Sequence, residues 1–323
     1  MRSRKILVLL TILLLMFLVG CQGQEDTTTS ASQFVGGTKG LEISFVEGTP
    51  PPEVLDTDQP FGVSIKLANE GEYDVEEPST VQVTVTGFDP ADFGVSGSAM
   101  TQASPEQLLG ASKDAQGNLI QGTVVTMDFP SDGGSFSHQT EIAGSVTYNI
   151  RADVCYQYGS TANAKLCVLE DILGTTGKAG QLCTINEAKT VDKAGAPVQV
   201  QSFIESVSSA SKVAFVIRVK HLGTGEVFEK ASDCDADFSK KNKVHVKIDT
   251  GISDGLTCSG LQNPSGSGSV FEGDATLLNG EREIRCTQTI NSPQDFEKLV
   301  RVDISYDYKS DITKPLDVKH LGS

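Results

Sequence analysis

The sequence predicts an all-β protein built from tandem antiparallel β-sandwiches. Short apolar segments alternate with polar residues at a period of two, which is typical of strands with one buried and one solvated face. The 323 residues include 32 glycines and no tryptophan, and no long stretch has the 3.6-residue period of an amphipathic helix. After an N-terminal leader, roughly 300 residues remain, which suits two domains of ordinary size.

The first predicted domain covers residues 39–172. Its clearest strands lie at residues 40–46, 61–67, 81–85 and 122–129. Residues 146–158 and 164–169 flank a stretch that contains Gly, Ser and Asn, and this pattern predicts a hairpin that closes the domain. Residues 89–122 form a long insertion rich in Ser, Gly, Ala and Gln. Such long loops are usually functional or disordered, and both interpretations stay open.

A connection at residues 173–190 leads to the second predicted domain, residues 191–323. Its predicted strands lie at residues 198–204, 213–219, 226–228, 244–248, 256–259 and 283–290. The last strand alternates strictly, with one face made of Val300, Val302, Ile304, Tyr306 and Tyr308. Similar turns in the two halves favour two sandwiches, and a single large sandwich is the alternative.

The N-terminus has the features of a secretory signal. Arg2, Arg4 and Lys5 precede an uncharged apolar run at residues 6–19. This run is shorter than the roughly 20 apolar residues that a transmembrane helix needs, and polar residues follow it. We therefore expect residues 1–20 to be a cleaved leader.

The end of this leader, Leu18-Val19-Gly20-Cys21, resembles the lipobox of bacterial and archaeal lipoproteins. The resemblance implies that Cys21 carries a lipid that anchors the protein to the extracytoplasmic face of the cell membrane. Residues 21–38, which are rich in Thr and Ser, then form a flexible tether. An ordinary signal peptide with a chance cysteine is the alternative.

The chain is strongly acidic. It has 26 Lys and Arg against 42 Asp and Glu, a net charge of −16. Residues 1–20 contain three of the positive charges and none of the negative ones, so removing them gives −19. An acidic surface disfavours nucleic acid and anionic headgroups as partners, although solubility alone would also account for it.

The cysteines predict a disulfide framework. Cys21 apart, an even number of six remains: Cys155, Cys167, Cys183, Cys234, Cys258 and Cys286. An even count in an exported chain indicates disulfides, and six cysteines allow 15 connectivities. We favour 155 with 167 and 258 with 286, because a short turn could bring each pair of strands together; 183 with 234 follows by elimination. Zinc is the rival, but no CxxC spacing occurs.

The cysteine and tyrosine pattern resembles that of uncharacterised archaeal cell-surface lipoproteins. Cys155, Tyr156 and Tyr158 precede Cys167 across a small-residue stretch, and Cys183 and Gly195-Ala196-Pro197-Val198 follow. The resemblance covers residues 40–310 and implies a surface location without an assigned activity. The strand pattern is also similar to the immunoglobulin-like modules of bacterial and archaeal adhesion proteins, which implies immunoglobulin-like sandwiches.

Two patterns match catalytic motifs by residue type alone. Residues 251–255 match GxSxG around Ser253, and Ser209 to Lys212 match SxxK. A nucleophile elbow needs a helix after its serine, whereas the residues that follow Ser253 are typical of a strand. We therefore expect no catalytic residue and no enzyme activity.

Histidines and aspartates give weak ligand patterns. The histidines have no acid or second histidine at ligand spacing, and we expect a surface position for each: His138, His221, His245 and His320. Alternate acids suit a hard cation such as calcium, and they occur at Asp233, Asp235 and Asp237 and at Asp56 and Asp58. Neither stretch has the Gly and terminal Glu of an EF-hand. We expect solvated loop acids, with structural calcium as the alternative, and no metal or cofactor.

The sequence therefore predicts a lipid-anchored, non-catalytic binding or structural module of the cell envelope. Its expected partners are the membrane, through Cys21, and an envelope protein or a glycan, but not nucleic acid. A solute- or ion-binding lipoprotein that serves a transporter or envelope assembly is the alternative, although no βαβ alternation is visible. An envelope hydrolase is a third possibility, and a pocket that gathers Ser253 or a histidine with a carboxylate would favour it.

Overall fold

The computed structural model describes residues 32–57, 59–175, 182–253, 255–292 and 294–320. Cys21 and the predicted leader lie outside these ranges. Within them the regular secondary structure is almost entirely β, which confirms the all-β prediction. The helical segments there are short 3₁₀ turns, at Pro78–Thr80, Pro90–Phe93, Gly97–Met100 and Phe238–Lys240. None of these has the length or apolarity needed to cross a bilayer.

Twenty strands occur in the described ranges. In chain order they are β1 (Leu41–Phe45), β2 (Glu53–Leu55), β3 (Val63–Asn69), β4 (Val81–Thr86), β5 (Thr101–Ala103), β6 (Ser112–Lys113), β7 (Leu119–Ile120), β8 (Val124–Phe129), β9 (Ser145–Val168), β10 (Glu187–Lys189), β11 (Val191–Lys193), β12 (Val198–Ser209), β13 (Lys212–His221), β14 (Glu226–Phe228), β15 (Lys243–Asp249), β16 (Leu256–Ser259), β17 (Gln262–Ser267), β18 (Val270–Thr276), β19 (Glu281–Thr289) and β20 (Phe296–Lys319).

These strands form three larger sheets and one small ribbon. The first sheet has the order β1-β3-β8, and the second has the order β10-β12-β13-β19-β16. The third has the main order β17-β18-β15-β20-β9-β4-β5, with β11 beside β9 and with β2 and β14 beside β20. Strands β6 and β7 pair only with each other within the described chain. The described pairings are antiparallel except that of β2 with β20.

The long strands β9 and β20 pair over their full length and organise the molecule. The register runs from Ser145 opposite Lys319 to Val168 opposite Phe296. The predicted hairpin at 146–158 and 164–169 is therefore wrong, because one unbroken strand covers both segments. The final strand also continues past Tyr308, with Leu316 and Val318 buried.

This pair joins both predicted domains in one sheet. Strand β9 belongs to the first predicted domain and β20 to the second, yet they are neighbours. One continuous apolar core contains buried residues of all three larger sheets. Gln33–Ser323 accordingly forms one compact unit, which differs from the expectation of two domains separated by a linker at 173–190.

Four buried tyrosines on β9 and β20 connect this sheet to the rest of the unit. Tyr156 lies opposite Tyr308, and Tyr158 lies opposite Tyr306. Three of the hydroxyl groups accept from backbone N–H groups: Tyr156 from Leu41, Tyr306 from Val198 and Tyr308 from Gly225. The Tyr158 hydroxyl donates to Asn69 Oδ1. Burial raises the pKa of all four phenols, so they stay neutral hydrogen-bonding groups.

The six predicted cysteines form three disulfides, and one of the expected pairs is correct. Cys258 bonds Cys286 on neighbouring strands β16 and β19. The other two bonds join Cys155 to Cys234 and Cys167 to Cys183, so the expected 155–167 and 183–234 pairs are wrong. Cys155 and Cys167 lie on one extended strand, where twelve residues span about 40 Å, far beyond the reach of a disulfide.

A buried carboxylate brings Cys234 to its partner. Asp307 of β20 accepts hydrogen bonds from the backbone N–H groups of Ala231, Ser232 and Asp233, at 2.9, 2.7 and 2.8 Å. These bonds hold the loop against β20, and Lys309 of β20 lies opposite Cys155. The fold therefore brings Cys234 and Cys155 together although 79 residues separate them.

The last residues of the predicted tether pack against the folded unit. Glu72 accepts hydrogen bonds from Val35 N and Gly36 N, both at 2.7 Å. Lys113 Nζ donates to Phe34 O, and Gln199 Nε2 donates to Gly37 O. The expectation of a flexible tether as far as residue 38 is therefore corrected for residues 34–37.

The predicted insertion at 89–122 is also packed. Phe93 is buried and makes edge-to-face ring contacts with Phe61 and Phe88, with centroids 5.8 and 4.7 Å apart. Met100 and Leu108 are buried as well. Residues 93–108 of this segment thus contribute to the core, whereas residues 115–121 are exposed.

Candidate binding groove

An acidic groove lies beside the loop that follows β3. Its volume is about 460 Å³, and its walls are Glu72, Tyr73, Asp74, Val75, Glu76, Glu77, Thr80, Gln157, Thr161 and Arg301. A second hollow of about 510 Å³ shares Glu76 and Glu77 and adds Glu106, Gln107, Leu109 and Thr123. The two hollows together form the surface called the acidic groove below.

Asn69, the last residue of β3, positions both walls of this groove. Its amide nitrogen donates to Tyr73 O and to Leu108 O, each at 2.8 Å. Its amide oxygen accepts from Gly71 N at 3.2 Å and from the Tyr158 hydroxyl at 2.8 Å. Asn69 is buried, and its two donors and two acceptor positions are all used. These hydrogen bonds hold the two loops that form the groove in a fixed arrangement.

Backbone hydrogen bonds tie the two loops together further. Val75 and Leu108 exchange backbone hydrogen bonds at 3.0 Å in both directions. Asp74 accepts from Gly110 N at 2.7 Å. These contacts fix residues 72–77 against residues 106–110, so the carboxylates that project from both segments share one surface.

One acid of the groove also fixes the N-terminal segment. In addition to Val35 and Gly36, the Glu72 carboxylate accepts from Gly195 N at 2.6 Å. Three backbone N–H groups therefore surround this carboxylate and satisfy it. Asp74 accepts from Gly110 N, which leaves Glu76, Glu77 and Glu106, all exposed, available to a partner.

Tyr73 gives the groove an aromatic surface. Its side chain is 39% exposed, and its ring packs against Tyr158 with centroids 5.3 Å apart. Burial raises the pKa of Tyr73, and the Glu76 and Asp74 carboxylates raise it further. The carboxylates thus produce a negative potential at the ring, which favours a cation over the groove.

The structure gives each histidine a partner that the spacing of the sequence did not show. His245 Nδ1 lies 2.9 Å from Asp274 Oδ1, and His320 Nδ1 lies 2.8 Å from Asp56 Oδ2. Both histidines therefore contact acids that are distant in the sequence. His138 is buried against Tyr148, not exposed, and burial lowers the pKa of His221, which contacts Tyr308.

Of the aspartates considered for calcium, Asp235 and Asp237 bond within their own loop, whereas Asp56 bonds residues that are distant in the sequence. Asp235 accepts from Lys240 Nζ at 3.0 Å, which lowers its pKa. Asp237 caps a 3₁₀ turn by accepting from Ser239 N at 2.9 Å. Asp56 accepts from Ile142 N at 2.8 Å, and Asp58 lies outside the described residues. Within the described chain no group of three or more His, Cys, Asp or Glu is placed to hold a metal.

The two motif matches lie in β surroundings. Ser253 lies in the turn between β15 and β16, and a strand follows it instead of a helix; Asp254 lies outside the described residues. Ser209 ends β12 and Lys212 begins β13, so the SxxK match spans a hairpin turn. Neither serine has the backbone context that its motif requires.

A separate cleft lies between β1 and β20. Its volume is about 380 Å³, and Tyr156, Tyr308 and Ser310 line its inner side. The buried Ser310 Oγ has no hydrogen-bond partner in the described part of the chain. Lys39, Glu42 and Asp311 lie at the same cleft.

The sequence interpretation missed the acidic groove. The stretch Glu70-Gly71-Glu72-Tyr73-Asp74-Val75-Glu76-Glu77 holds five acids in eight residues, and this local charge was the available signal. The other parts of the groove come from β9, β20 and residues 106–109. Only the fold brings these distant segments together.

No known protein family and no curated protein matches the chain. Among solved structures, the secreted serine protease VesC from Vibrio cholerae is 9% identical, with 83% of this chain and 50% of that chain covered and a TM-score of 0.18. The chain thus spans half the length of VesC. A structure of manganese lipoxygenase of Gaeumannomyces graminis with partial zonadhesin of Komagataella pastoris is 10% identical, with 86% and 92% covered and a TM-score of 0.12. Likenesses at these scores carry no argument about fold or activity.

Proposed function

We propose that the protein is a lipid-anchored binding module of the cell envelope that holds a cationic partner in its acidic groove. The three disulfides indicate an extracytoplasmic protein. The lipobox-like Leu18-Val19-Gly20-Cys21 supports anchoring through Cys21. The resemblance to archaeal surface lipoproteins supports the same location. In this proposal Gln33–Ser323 consists of two immunoglobulin-like sandwich halves that share the sheet around β9 and β20.

The groove carries the proposal. Exposed carboxylates at Glu76, Glu77 and Glu106 line the groove, and the half-exposed Tyr73 lies in its wall on a support fixed by Asn69. A rigid acidic surface attracts a cationic segment without reorganisation. Of the two partner classes expected from the sequence, a basic segment of an envelope protein therefore fits better than a neutral glycan.

Anchoring is tested by removing the residue to which the lipid would be attached. We expect the wild-type protein to stay with the membrane fraction and Cys21→Ser to become soluble. Mass spectrometry of the N-terminal peptide should show the lipid on Cys21. A wild-type protein that is fully soluble, with an unmodified Cys21, contradicts the anchor.

Partner binding is tested by crosslinking in intact envelopes followed by mass spectrometry. We expect a protein partner whose crosslinks are lost in the double variant Glu76→Gln/Glu77→Gln. The control Glu47→Gln/Glu141→Gln changes the net charge equally at exposed acids outside the groove. With the purified partner, the groove variant should bind about five-fold more weakly, and added salt should weaken wild-type binding. Equal losses in both variants contradict the groove as the site.

The cleft beside β1 favours a second candidate function, capture of a small polar solute. The observation is the 380 Å³ cleft lined by Lys39, Asp311 and Ser310, whose buried hydroxyl has no partner among the described residues. Thermal-shift screening of polar solutes should then find ligands whose stabilisation is lost in Ser310→Ala. The control Ser98→Ala alters an exposed serine outside the cleft. Ligands that stabilise Ser310→Ala as well as the wild type contradict this candidate.

A further inference from the structure

The β6–β7 ribbon exposes an apolar side chain on each of its two faces. Leu119 and Ile120, which make up β7, are 57% and 52% exposed. Leu109 and Val124, on the segments that flank the ribbon, are 47% and 51% exposed. Singly exposed apolar side chains are ordinary on a soluble domain, but here four fall within sixteen residues of the chain, two on the ribbon and two on the segments that flank it.

The ribbon is also electrically neutral on an acidic chain. Residues 111–123 contain one positive and one negative charge, Lys113 and Asp114, while the whole chain carries −16. The Asp114 carboxylate accepts from Gln116 N at 2.9 Å and from Asn118 N at 2.8 Å. The turn therefore satisfies its own charged acceptor, which lowers the cost of moving the ribbon out of water.

The chain that leads back to Cys21 leaves the folded unit beside this ribbon. Lys113 Nζ of β6 donates to Phe34 O, and Lys113 is the register partner of Leu119. Phe34 comes thirteen positions after Cys21, a span of at most about 45 Å when fully extended. An anchor at Cys21 therefore holds this corner of the unit at a high effective concentration near the bilayer.

We propose that the β6–β7 ribbon inserts Leu119 and Ile120 into the interfacial layer of the membrane that carries the anchor. The inference rests on the lipid anchoring proposed above. Apolar side chains in such a layer add to the binding that the lipid provides. Leu109 and Thr123 line part of the acidic groove, so insertion would also hold the groove next to the membrane surface, within reach of a membrane-protein partner.

The test uses tryptophan as a depth probe, because the chain has no natural tryptophan. Lipidated full-length Ile120→Trp is reconstituted in phosphatidylcholine vesicles with or without brominated acyl chains, and flotation is measured first. Leu119→Trp is a second variant at the same ribbon. Phe238→Trp is the matched control, since Phe238 is 85% exposed and lies outside the ribbon.

We expect all three variants to float, and the two ribbon tryptophans to show a blue-shifted emission and lose most of it to brominated lipid. The Phe238→Trp emission should stay red and unquenched. Floating variants in which both ribbon tryptophans remain unquenched overturn the insertion but not the anchor. The emission could instead shift to the blue as protein concentration rises, with no quenching by brominated lipid. That result would show that the ribbon contacts a second copy of the chain, and it would also overturn the membrane insertion. Failure of all variants to float overturns the anchor and the insertion together.

Discussion

At the scale of single residues, Glu205 is a carboxyl group that the fold buries with one cation beside it. Its two oxygens accept from Cys167 N at 3.1 and 3.0 Å, and Lys189 Nζ lies 3.2 Å away. Burial raises the pKa of Glu205 to about 7, against the opposing effects of the Cys167 N–H and Lys189. Glu205 thus joins β12 to β9 beside the Cys167–Cys183 disulfide. The free-energy cost of burying its charged form depends on pH.

We expect this carboxyl group to make stability fall as the pH rises from 4.5 to 7. The folded protein holds the proton in this window and the unfolded chain does not, so the free energy of unfolding decreases by roughly 3 kcal/mol. Urea unfolding of wild type and Glu205→Gln at several pH values checks this. The variant should become relatively more stable across the window, and a difference that does not change with pH contradicts the argument.

Asn69 is the residue on which the geometry of the groove depends most. Asn69→Ala removes four hydrogen bonds and leaves their partner groups without this hydrogen-bonding side chain. We therefore expect the free energy of unfolding to fall by about 3 kcal/mol. Tyr158→Phe removes one of those bonds and should cost about 1 kcal/mol. Urea unfolding measures both changes. Equal effects of the two substitutions would show that Asn69 does not organise the loops.

Sequence reasoning at this scale identified residue types better than their partners. The six cysteines form disulfides as predicted, because an even count in an exported chain is informative by itself. The acid partners of His245 and His320 lie 29 and 264 residues away. No spacing rule within a single sequence reaches such partners.

At the scale of elements, the error over β9 has a physical cause. Gly159, Ser160 and Asn163 have the composition of a turn, but they lie inside a strand. Gly159 is needed there because a Cβ atom would come within 2.6 Å of the Tyr73 ring and 2.8 Å of Ile304 O. The small residue at this position therefore indicates a close approach of the Tyr73 ring and the β20 backbone, not a turn. The buried residues keep the same phase through this stretch, from Tyr158 to Ala164, with Gly159 buried in addition.

Gly159→Ala tests this interpretation. The added methyl group must displace the Tyr73 ring or the β20 backbone, so we expect a loss of roughly 2 kcal/mol. The control is Gly97→Ala, where a Cβ atom would meet nothing within 4 Å. Chemical denaturation compares the two variants. If both are neutral, residue 159 lies in an open turn and the continuous strand is wrong.

The strands with the clearest alternation were the easiest elements to predict. Strands β3, β4, β13, β15 and β20 coincide with alternating apolar runs. The residues that build the groove do not alternate, because they lie in loops whose shape depends on Asn69 and on contacts with residues 106–110. Periodicity therefore predicts the sheets but not the site.

At the scale of the whole molecule, the pairing of β9 with β20 turns two expected domains into one unit. Strand order is a long-range property, and the sequence pattern of β20 fits a sheet in either half equally well. The Cys155–Cys234 disulfide also joins the first predicted domain to the second, through a covalent bond. The groove depends on it too, because Gln157 and Arg301, from opposite strands, both line it.

Disulfide mapping of the unreduced protein tests this organisation most directly. Trypsin can cut between all six cysteines, since Lys165, Lys178, Lys189, Lys240 and Arg282 lie in the five intervals. Mass spectrometry should therefore find linked peptides for 155–234, 167–183 and 258–286. A peptide linking Cys155 to Cys167 would restore the hairpin, break the long β9–β20 pair and contradict the single unit on which the groove is built.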